Sequence, residues 1–344
     1  MLRFTITMEC LQVTGSSGTL EIVDAPVPEG GPMDALVEVE AASVGLTVHR
    51  NVHDRIAGAE ENHFRIPGHE IVGRVSEVGA GLTHVSEGDL VTNHYYLFCG
   101  HCTPCESGRE PLCENLRGKV GVDVDGGYAE YVRLPGRNLV RLPDDLDPVE
   151  TTVIPDAVAT PVHVAERRGP IDPGDDVMIL GAGGGVGIHL VQIAAHHGAT
   201  VTAVDQRTHK LERCAELGAA RTVNTADRSV STLEPGYDIV VDFVGSTELA
   251  AETAELLAPG GRFVSLVGTG EPLAGFTPRK LVRGELEVVG SRYCSRSEIR
   301  RAAELVADGT VEPIISEVVE LADVSSLLEL IASGDHLGRG AVTP

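Results

Sequence analysis

A glycine-rich segment in the second half of the chain constrains the fold more than any other feature. Residues 181–187 follow a continuous apolar run, 177–180, and precede a stretch whose apolar residues recur at helical spacing as far as Gly198. A buried strand, a glycine turn and a helix in this order form the phosphate-binding corner of a Rossmann domain. Glycines let the backbone approach a pyrophosphate, and free N–H groups at the start of the helix meet its charge. We therefore predict a dinucleotide site at this corner.

The next predicted strand ends at an acid that can select the cofactor. Asp205 closes residues 200–205, where a carboxylate can accept both ribose hydroxyls of NAD and would repel a 2′-phosphate. Arg207 lies just beyond it, in a place where an arginine often accommodates NADP, so the sequence favours NAD and leaves NADP open. Aligned on Gly187, the first position of the G-x-G-x-x-G pattern holds Ala182. The predicted cofactor-binding residues are Gly181, Gly183, Gly184, Gly185, Val186, Gly187, Asp205, Gln206, Arg207, Val267 and Gly268.

The hydrophobic pattern divides the chain into two parts. From about residue 156 onward, strands alternate with helices, and further strands are predicted at 238–244 and 262–268. This alternation implies a parallel sheet covered on both faces. The first 150 or so residues instead show short strands such as 20–23 and 35–41, separated by turn-rich loops. A chain of 344 residues exceeds the usual size of one hydrophobic core, so we predict two domains.

Four cysteines lie close together in the first part of the chain. Cys99, Cys102, Cys105 and Cys113 supply four thiols on one short loop, and four thiolates satisfy tetrahedral Zn²⁺ and close the site to catalysis. An iron–sulfur cluster is disfavoured by the long gap before Cys113, by the lack of a proline after it and by the absence of a second cysteine set. We predict a structural zinc site, with His101 inside the loop but not a ligand.

The charge balance excludes several partners. The formal net charge is −24, and such an acidic surface repels phosphate backbones and anionic lipid. No run approaches the roughly 20 apolar residues of a membrane span, and residues 1–10 do not resemble a signal peptide. We expect a cytoplasmic protein without disulfides that acts on a small molecule and binds neither nucleic acid nor membrane. Adaptation to a salty cytoplasm and a GC-rich genome are both compatible with the acidity.

Three segments together resemble the medium-chain dehydrogenase/reductase superfamily, which contains the zinc alcohol dehydrogenases and their quinone and enoyl reductase relatives. They are Pro67-Gly68-His69-Glu70-Ile71-Val72-Gly73, the four-cysteine loop, and the glycine turn with Asp205. The resemblance implies an α/β chain with a GroES-like, β-rich catalytic domain. This domain would comprise residues 1–155, completed by 295–344, and a doubly wound Rossmann domain would span 156–294.

The resemblance also implies a set of active-site residues. His69 matches the second ligand of the catalytic zinc in the alcohol dehydrogenases, and Asp156 falls where a third ligand is expected. Glu70 would tune the metal, and Thr47 keeps the hydroxyl that relays the substrate proton. Gly45 stands where the family has its first ligand, a cysteine, and has no side chain to bind metal. His49, His53 or Glu70 would have to fill that gap, so a catalytic zinc remains open.

Three functions follow from this pattern. The favoured one is hydride transfer between an alcohol, sugar or polyol and NAD(P), with the substrate oxygen on zinc. The first alternative is a reductase of the enoyl- or acryloyl-CoA or quinone type without catalytic zinc, supported by Gly45 and by Val48 at the position of a family aspartate. The second is a cofactor-binding protein without catalysis. Residues 51–64 are expected to set selectivity, and 286–290 is a candidate edge strand for a homodimer or homotetramer.

Overall fold

The computed structural model describes residues 6–14, 19–54 and 66–344. It divides into two compact units: Met1–Asp156 with Cys294–Ala307 and Ile315–Pro344, and Ala157–Tyr293 with Asp308–Ile314. The boundaries were expected at 155/156 and 294/295. In the structure they fall one residue away from each, at 156/157 and 293/294.

One short segment lies outside its expected domain. Residues 308–314 were expected in the first domain but belong to the second unit. The side-chain amide of Gln192 donates to the carbonyl of Glu312 at 2.9 Å and accepts from its N–H at 2.8 Å. The N–H of Ile314 donates to Nε2 of His189 at 3.1 Å. These hydrogen bonds tie the segment to the helix that follows the glycine turn, Gly187–His196.

The chain begins with the strands and short helices of the first unit. In chain order these are β1 (Thr7–Thr14), β2 (Thr19–Pro26), β3 (Asp34–Val44), α1 (Leu46–Asp54), β4 (Ile71–Val78), β5 (Leu90–Asn93), α2 (Thr103–Glu106), β6 (Tyr131–Pro135), β7 (Leu139–Arg141) and α3 (Pro148–Thr151).

The second unit follows as a regular alternation. Its elements are α4 (Ala159–His163), β8 (Asp176–Leu180), α5 (Gly187–His196), β9 (Thr200–Asp205), α6 (Thr208–Glu216), β10 (Arg221–Asn224), β11 (Tyr237–Asp242), α7 (Thr247–Ala254), β12 (Leu257–Ser265), α8 (Pro278–Gly284) and β13 (Glu287–Gly290). The strands form one parallel sheet in the order β10-β9-β8-β11-β12-β13. The predicted Rossmann sheet is therefore confirmed. Strand β10 was not predicted, because this short edge strand, Arg-Thr-Val-Asn, is mostly polar and has no apolar run.

The chain then returns to the first unit with α9 (Arg296–Ala307), β14 (Ile315–Glu320), α10 (Val324–Ala332) and β15 (Arg339–Thr343). The main sheet of this unit runs β14-β15-β3-β4-β5-β7, with β6 also paired to β3, and β1 and β2 form a separate hairpin. Strand β15 pairs antiparallel with β3, with Gly340 opposite Val44. This pairing brings the end of the chain beside Gly45, and the predicted GroES-like, β-rich fold is confirmed.

The core of each unit is apolar and fully enclosed. In the second unit, Met178, Leu180 and Phe263 lie in one buried cluster on a face of the parallel sheet. In the first, one cluster includes Val37 and a second includes Val44, both on β3. Among the residues that the structure describes, no helix has the length and apolar character needed to cross a membrane.

Candidate active site and zinc lobe

The glycine turn and Asp205 meet at the carboxyl edge of the parallel sheet. Oδ2 of Asp205 accepts a hydrogen bond from the N–H of Gly183 at 2.9 Å, and Oδ1 accepts from Gln206 N–H at 2.7 Å. Gly181 has a φ of +75°, and a Cβ on Gly187 would lie 2.4 Å from the carbonyl oxygen of Gly181. Only glycine suits these two positions. The structure thus places a fixed carboxylate beside the start of α5.

The other predicted cofactor residues lie around the same edge. Gly184, Gly185 and Val186 complete the turn, and Val186 is the N-cap residue of α5. Arg207 is the N-cap residue of α6, two residues after the end of β9. Val267 and Gly268 follow the end of β12, with Val267 half-buried and Gly268 exposed. Because carboxyl ends of parallel strands share one edge of a sheet, this is where dinucleotides bind in such folds.

The four clustered cysteines bring their sulfur atoms together. The Sγ atoms of Cys102 and Cys105 are 3.3 Å apart, those of Cys99 and Cys105 are 3.9 Å apart, and those of Cys102 and Cys113 are 3.9 Å apart. Four Zn–S bonds of about 2.3 Å require tetrahedral edges of about 3.8 Å. Hydrogen bonding from the backbone N–H of His101 lowers the pKa of the Cys99 thiol to about 6. The donor set and spacing fit a zinc ion.

The backbone around His69 is held by neighbouring side chains. Gly68 has a φ of +95°, and a Cβ there would lie 2.5 Å from the ring of buried Tyr128. Asn93, which is fully buried, accepts from the N–H of Ile71 and donates to the carbonyl of His69, both at 3.0 Å. Gly68 therefore supplies the turn, and Asn93 fixes the backbone on both sides of the His69–Glu70 pair.

His69, Glu70 and Asp156 form a second candidate metal group. Nε2 of His69 lies 3.5 Å from Oδ2 of Asp156 and 3.9 Å from Oε2 of Glu70, and His69 is fully buried. Neither ring nitrogen of His69 has a hydrogen-bond partner among the described residues. Zinc bonds of about 2.0–2.2 Å to nitrogen and oxygen give tetrahedral edges of about 3.3–3.6 Å. One imidazole and two carboxylates at this spacing could hold a divalent metal.

Asp156 owes its position to an irregular turn. It lies in a single π turn, Ile154–Val158, between α3 and α4, and such turns often occur at functional sites. The N-cap residue of α4 is Val158, so Asp156 does not cap that helix. Its carboxylate points instead towards His69.

Arg339, which the sequence analysis did not identify, completes this group. Its Nη2 lies 3.2 Å from Oε2 of Glu70 and 3.6 Å from Oδ2 of Asp156, and only 5% of its side chain is exposed. Burial raises the pKa of Glu70, and the charge of Arg339 opposes that shift. A Cβ on Gly45 would lie 1.7 Å from Nη1 of Arg339. The guanidinium therefore occupies the space into which a side chain at position 45 would project.

Tyr95 contacts His69, and Thr47 lies in the helix that follows Gly45. The ring of Tyr95 lies 4.7 Å from the ring of His69, and burial, followed by the charge of Asp156, raises the pKa of Tyr95 well above its usual value. Thr47 is half-buried in the first turn of α1, directly after Gly45. Residues 55–65, which make up most of the expected selectivity segment, and the side chain of His53 lie outside the described residues.

The sequence signals for the missed residues were weak. Asn93 ends a short buried strand and Tyr95 follows it, with no recognisable motif around either, and Arg339 begins β15. The one available clue to Arg339 was a charged residue directly before an apolar run. Its neighbours in space are more than a hundred residues away in sequence, so only the fold brings them together.

Comparison with known proteins gives the family. Residues 31–144 match the alcohol dehydrogenase GroES-like domain, and residues 185–308 match the zinc-binding dehydrogenase family. An NAD-dependent alcohol dehydrogenase from Saccharolobus solfataricus is 30% identical over 96% of this chain and 97% of its own length. The chain belongs to the zinc-type medium-chain dehydrogenase/reductase superfamily. The predicted superfamily and enzyme class, an NAD(P)-dependent zinc oxidoreductase, are confirmed.

Solved structures of this superfamily share the whole fold. A cobalt- and zinc-bound thermostable alcohol dehydrogenase from Pyrobaculum aerophilum has a TM-score of 0.88 and 32% identity, with 98% of this chain and 100% of that chain covered. A protein from Sinorhizobium meliloti 1021 assigned as a zinc-binding dehydrogenase and bound to NADP has a TM-score of 0.88 and 30% identity. The match covers 98% of this chain and 100% of that chain. The first of these structures holds cobalt and zinc and the second holds NADP, which agrees with the zinc and NAD(P) that the sequence predicts.

Proposed function

We propose that this dehydrogenase interconverts a small alcohol, sugar or polyol and the corresponding carbonyl compound. The carbinol carbon gives a hydride to the nicotinamide, and its hydroxyl gives up a proton, so that NAD(P)⁺ becomes NAD(P)H and the substrate becomes an aldehyde or ketone. The observation that carries the proposal is the buried imidazole of His69, which has no hydrogen bond on either ring nitrogen among the described residues and faces two carboxylates. The alcohol dehydrogenases among its relatives support the same substrate class.

The residues of the first unit have separate proposed roles. His69 and Asp156, with Glu70 as the third donor, would hold a catalytic zinc. Such a zinc would lower the pKa of the substrate hydroxyl. Thr47 would carry the substrate proton away through its own hydroxyl. Asn93 keeps the backbone of His69 in place, and Tyr95 packs against its ring.

The second unit supplies the cofactor site in this proposal. The N–H groups of the glycine turn, residues 181–187, would bind the pyrophosphate at the start of α5. The Asp205 carboxylate, held by Gly183 and Gln206, would accept the ribose hydroxyls and favour NAD. Arg207 follows directly, at the position from which it could meet a 2′-phosphate, and so keeps NADP as the alternative coenzyme.

Zinc content and substrate oxidation test the catalytic role together. In the presence of excess zinc, we expect two zinc ions per wild-type chain and oxidation of one or more short alcohols or polyols. His69→Ala should retain one zinc and lower kcat/KM at least about 100-fold, since even residues behind a metal ligand cost 10–100-fold when replaced. The matched control is His196→Ala, an exposed histidine in α5, which should change neither quantity. A His69→Ala enzyme with full metal content and full rate would refute the proposal.

A reductase without catalytic zinc is the second candidate, and Gly45 is the observation that favours it. The absence of a side chain at this position removes one donor from the site. An enzyme of this type would deliver hydride to an electron-poor double bond and would need no catalytic zinc. One zinc per chain at saturation, together with reduction of an enone or enoyl thioester by NAD(P)H and no oxidation of alcohols, would support this candidate over the first.

We also propose that the enzyme is a cytoplasmic homo-oligomer that binds neither nucleic acid nor membrane. β13 is an edge strand of the parallel sheet, and Val288 on it and Val282 on α8 are exposed. An unpaired edge with apolar side chains suits pairing with a second copy. Light scattering should give a dimer or tetramer for the wild type and a smaller species for Val288→Glu. An unchanged molecular mass for Val288→Glu would exclude β13 as the interface between copies.

A further inference from the structure

The side chain of Arg339 and a metal ion would compete for the same two carboxylates. Nη2 of Arg339 lies 3.3 Å from Oε1 and 3.2 Å from Oε2 of Glu70, and it also contacts Asp156. A metal bound to His69 would take an oxygen from each of these acids. Both Arg339 and Glu70 are buried, so water screens the guanidinium and a metal ion poorly from each other.

Gly45 makes this arrangement possible. Strand β15 pairs with β3 so that Gly340 lies opposite Val44, which places Arg339 beside Gly45. A Cβ at position 45 would lie 1.7 Å from Nη1 and 2.7 Å from Cζ of Arg339. Even an alanine therefore requires the guanidinium to move. The absence of a side chain at position 45 both removes a donor and admits the head of the arginine.

The charges show why a metal remains compatible with the group. Glu70 and Asp156 carry two negative charges when ionised, and Arg339 carries one positive charge. The imidazole of His69 faces both acids with no hydrogen bond on its ring nitrogens among the described residues. A second cation is thus accommodated electrostatically, but it must draw carboxylate oxygens away from the arginine.

We propose that Arg339 is a resident cation that lowers the metal affinity of the His69 site, so that the metal binds weakly and exchanges readily. Metal binding requires Glu70 or Asp156 to loosen its contact with Arg339. Arg339 is thus a positioning residue: it acts on the metal through the two acids. The four-cysteine site offers only thiol sulfurs to the metal and should keep its zinc. This inference rests on the proposed metal site at His69.

Cobalt titration of the full-length protein tests the inference without measuring activity. The protein is prepared with one zinc per chain in the cysteine lobe, and Co²⁺ is then added while visible absorption reports binding to nitrogen and oxygen donors. We expect Arg339→Gln to bind the second metal at least tenfold more tightly than the wild type. The matched control is Arg141→Gln, because Arg141 also contacts two carboxylates, those of Asp89 and Asp144, but is exposed.

A second variant keeps the test decisive if loss of Arg339 prevents folding. Gly45→Ala adds one methyl group and no donor, and it should raise the second-site affinity in the same direction because it displaces the guanidinium. Unchanged or weaker binding in the folded variants, with Arg141→Gln like the wild type, would overturn the role of Arg339 and leave the metal site intact. Absence of second-site binding in the wild type and in all variants would overturn the metal site itself.

Discussion

Replacing Asn93 tests whether the backbone that carries His69 is held by this one side chain. Asn93 is fully buried at the end of β5. Its side chain accepts from Ile71 N–H and donates to the carbonyl of His69, each at 3.0 Å. In Asn93→Ala both backbone groups would lose their partner inside the protein. The backbone on either side of Glu70 would then no longer be held in place.

The expected cost follows from that burial. An unsatisfied buried polar group costs about 1–3 kcal/mol, so two of them should lower the free energy of unfolding of the first unit by about 2–6 kcal/mol. For a unit of roughly 200 residues, 1 kcal/mol corresponds to about 2–4 °C in Tm. We therefore expect the unfolding transition of Asn93→Ala to fall by at least about 4 °C. The affinity for the second metal ion should fall with it, because His69 loses its fixed orientation.

Calorimetry and metal titration of Asn93→Ala and Asn224→Ala would measure the effect. Asn224 also makes two hydrogen bonds through its side chain, to Thr208 and from Ala226, but both are exposed. Water replaces exposed partners, so Asn224→Ala should cost no more than about 1 kcal/mol and leave metal binding unchanged. Equal losses of stability in the two variants, or unchanged metal affinity in Asn93→Ala, would refute the reasoning.

Three further predictions concern other parts of the molecule. Cys113→Ser should lose the zinc of the cysteine lobe and have a lower Tm, whereas Cys214→Ala should keep the metal content of the wild type, as measured by elemental analysis. Equal zinc content in the two variants would contradict zinc binding by the cysteine lobe. Asp205→Asn should raise KM for NAD about tenfold relative to NADP, with exposed Asp144→Asn as the unchanged control in steady-state kinetics. Burial lowers the pKa of His94 from 6.5 to about 4. Its contribution to stability is therefore present above pH 6.5 and is lost as the pH falls towards 4. At pH 5 the free energy of unfolding should be lower by about 2 kcal/mol from this residue. Unfolding curves should show that stability falls less between pH 7.5 and 5 in His94→Gln than in the wild type. An identical pH dependence in the two proteins would contradict the lowered pKa of His94.

The order of the secondary structure and the location of both metal-binding motifs could be predicted from the sequence. Periodicity and glycine punctuation act over neighbouring residues, so β8, the glycine turn and α5 were predictable from residues 177–198. The same holds for the cysteine loop, whose donors lie within one short segment. His69 was predicted through the family resemblance of the Gly68-His69-Glu70 segment that contains it. Its partner Asp156 was identified only through the family resemblance.

Only the tertiary structure decided what surrounds His69. Asn93, Asp156 and Arg339 come from separate parts of the chain, and no local pattern connects them. The pairing of β15 with β3 brings Arg339 against Gly45. From the sequence, Gly45 indicated a missing donor; in the folded protein, the same position is filled by a cation. Charges interact through space and burial rather than along the chain, so this feature depended on strand pairing.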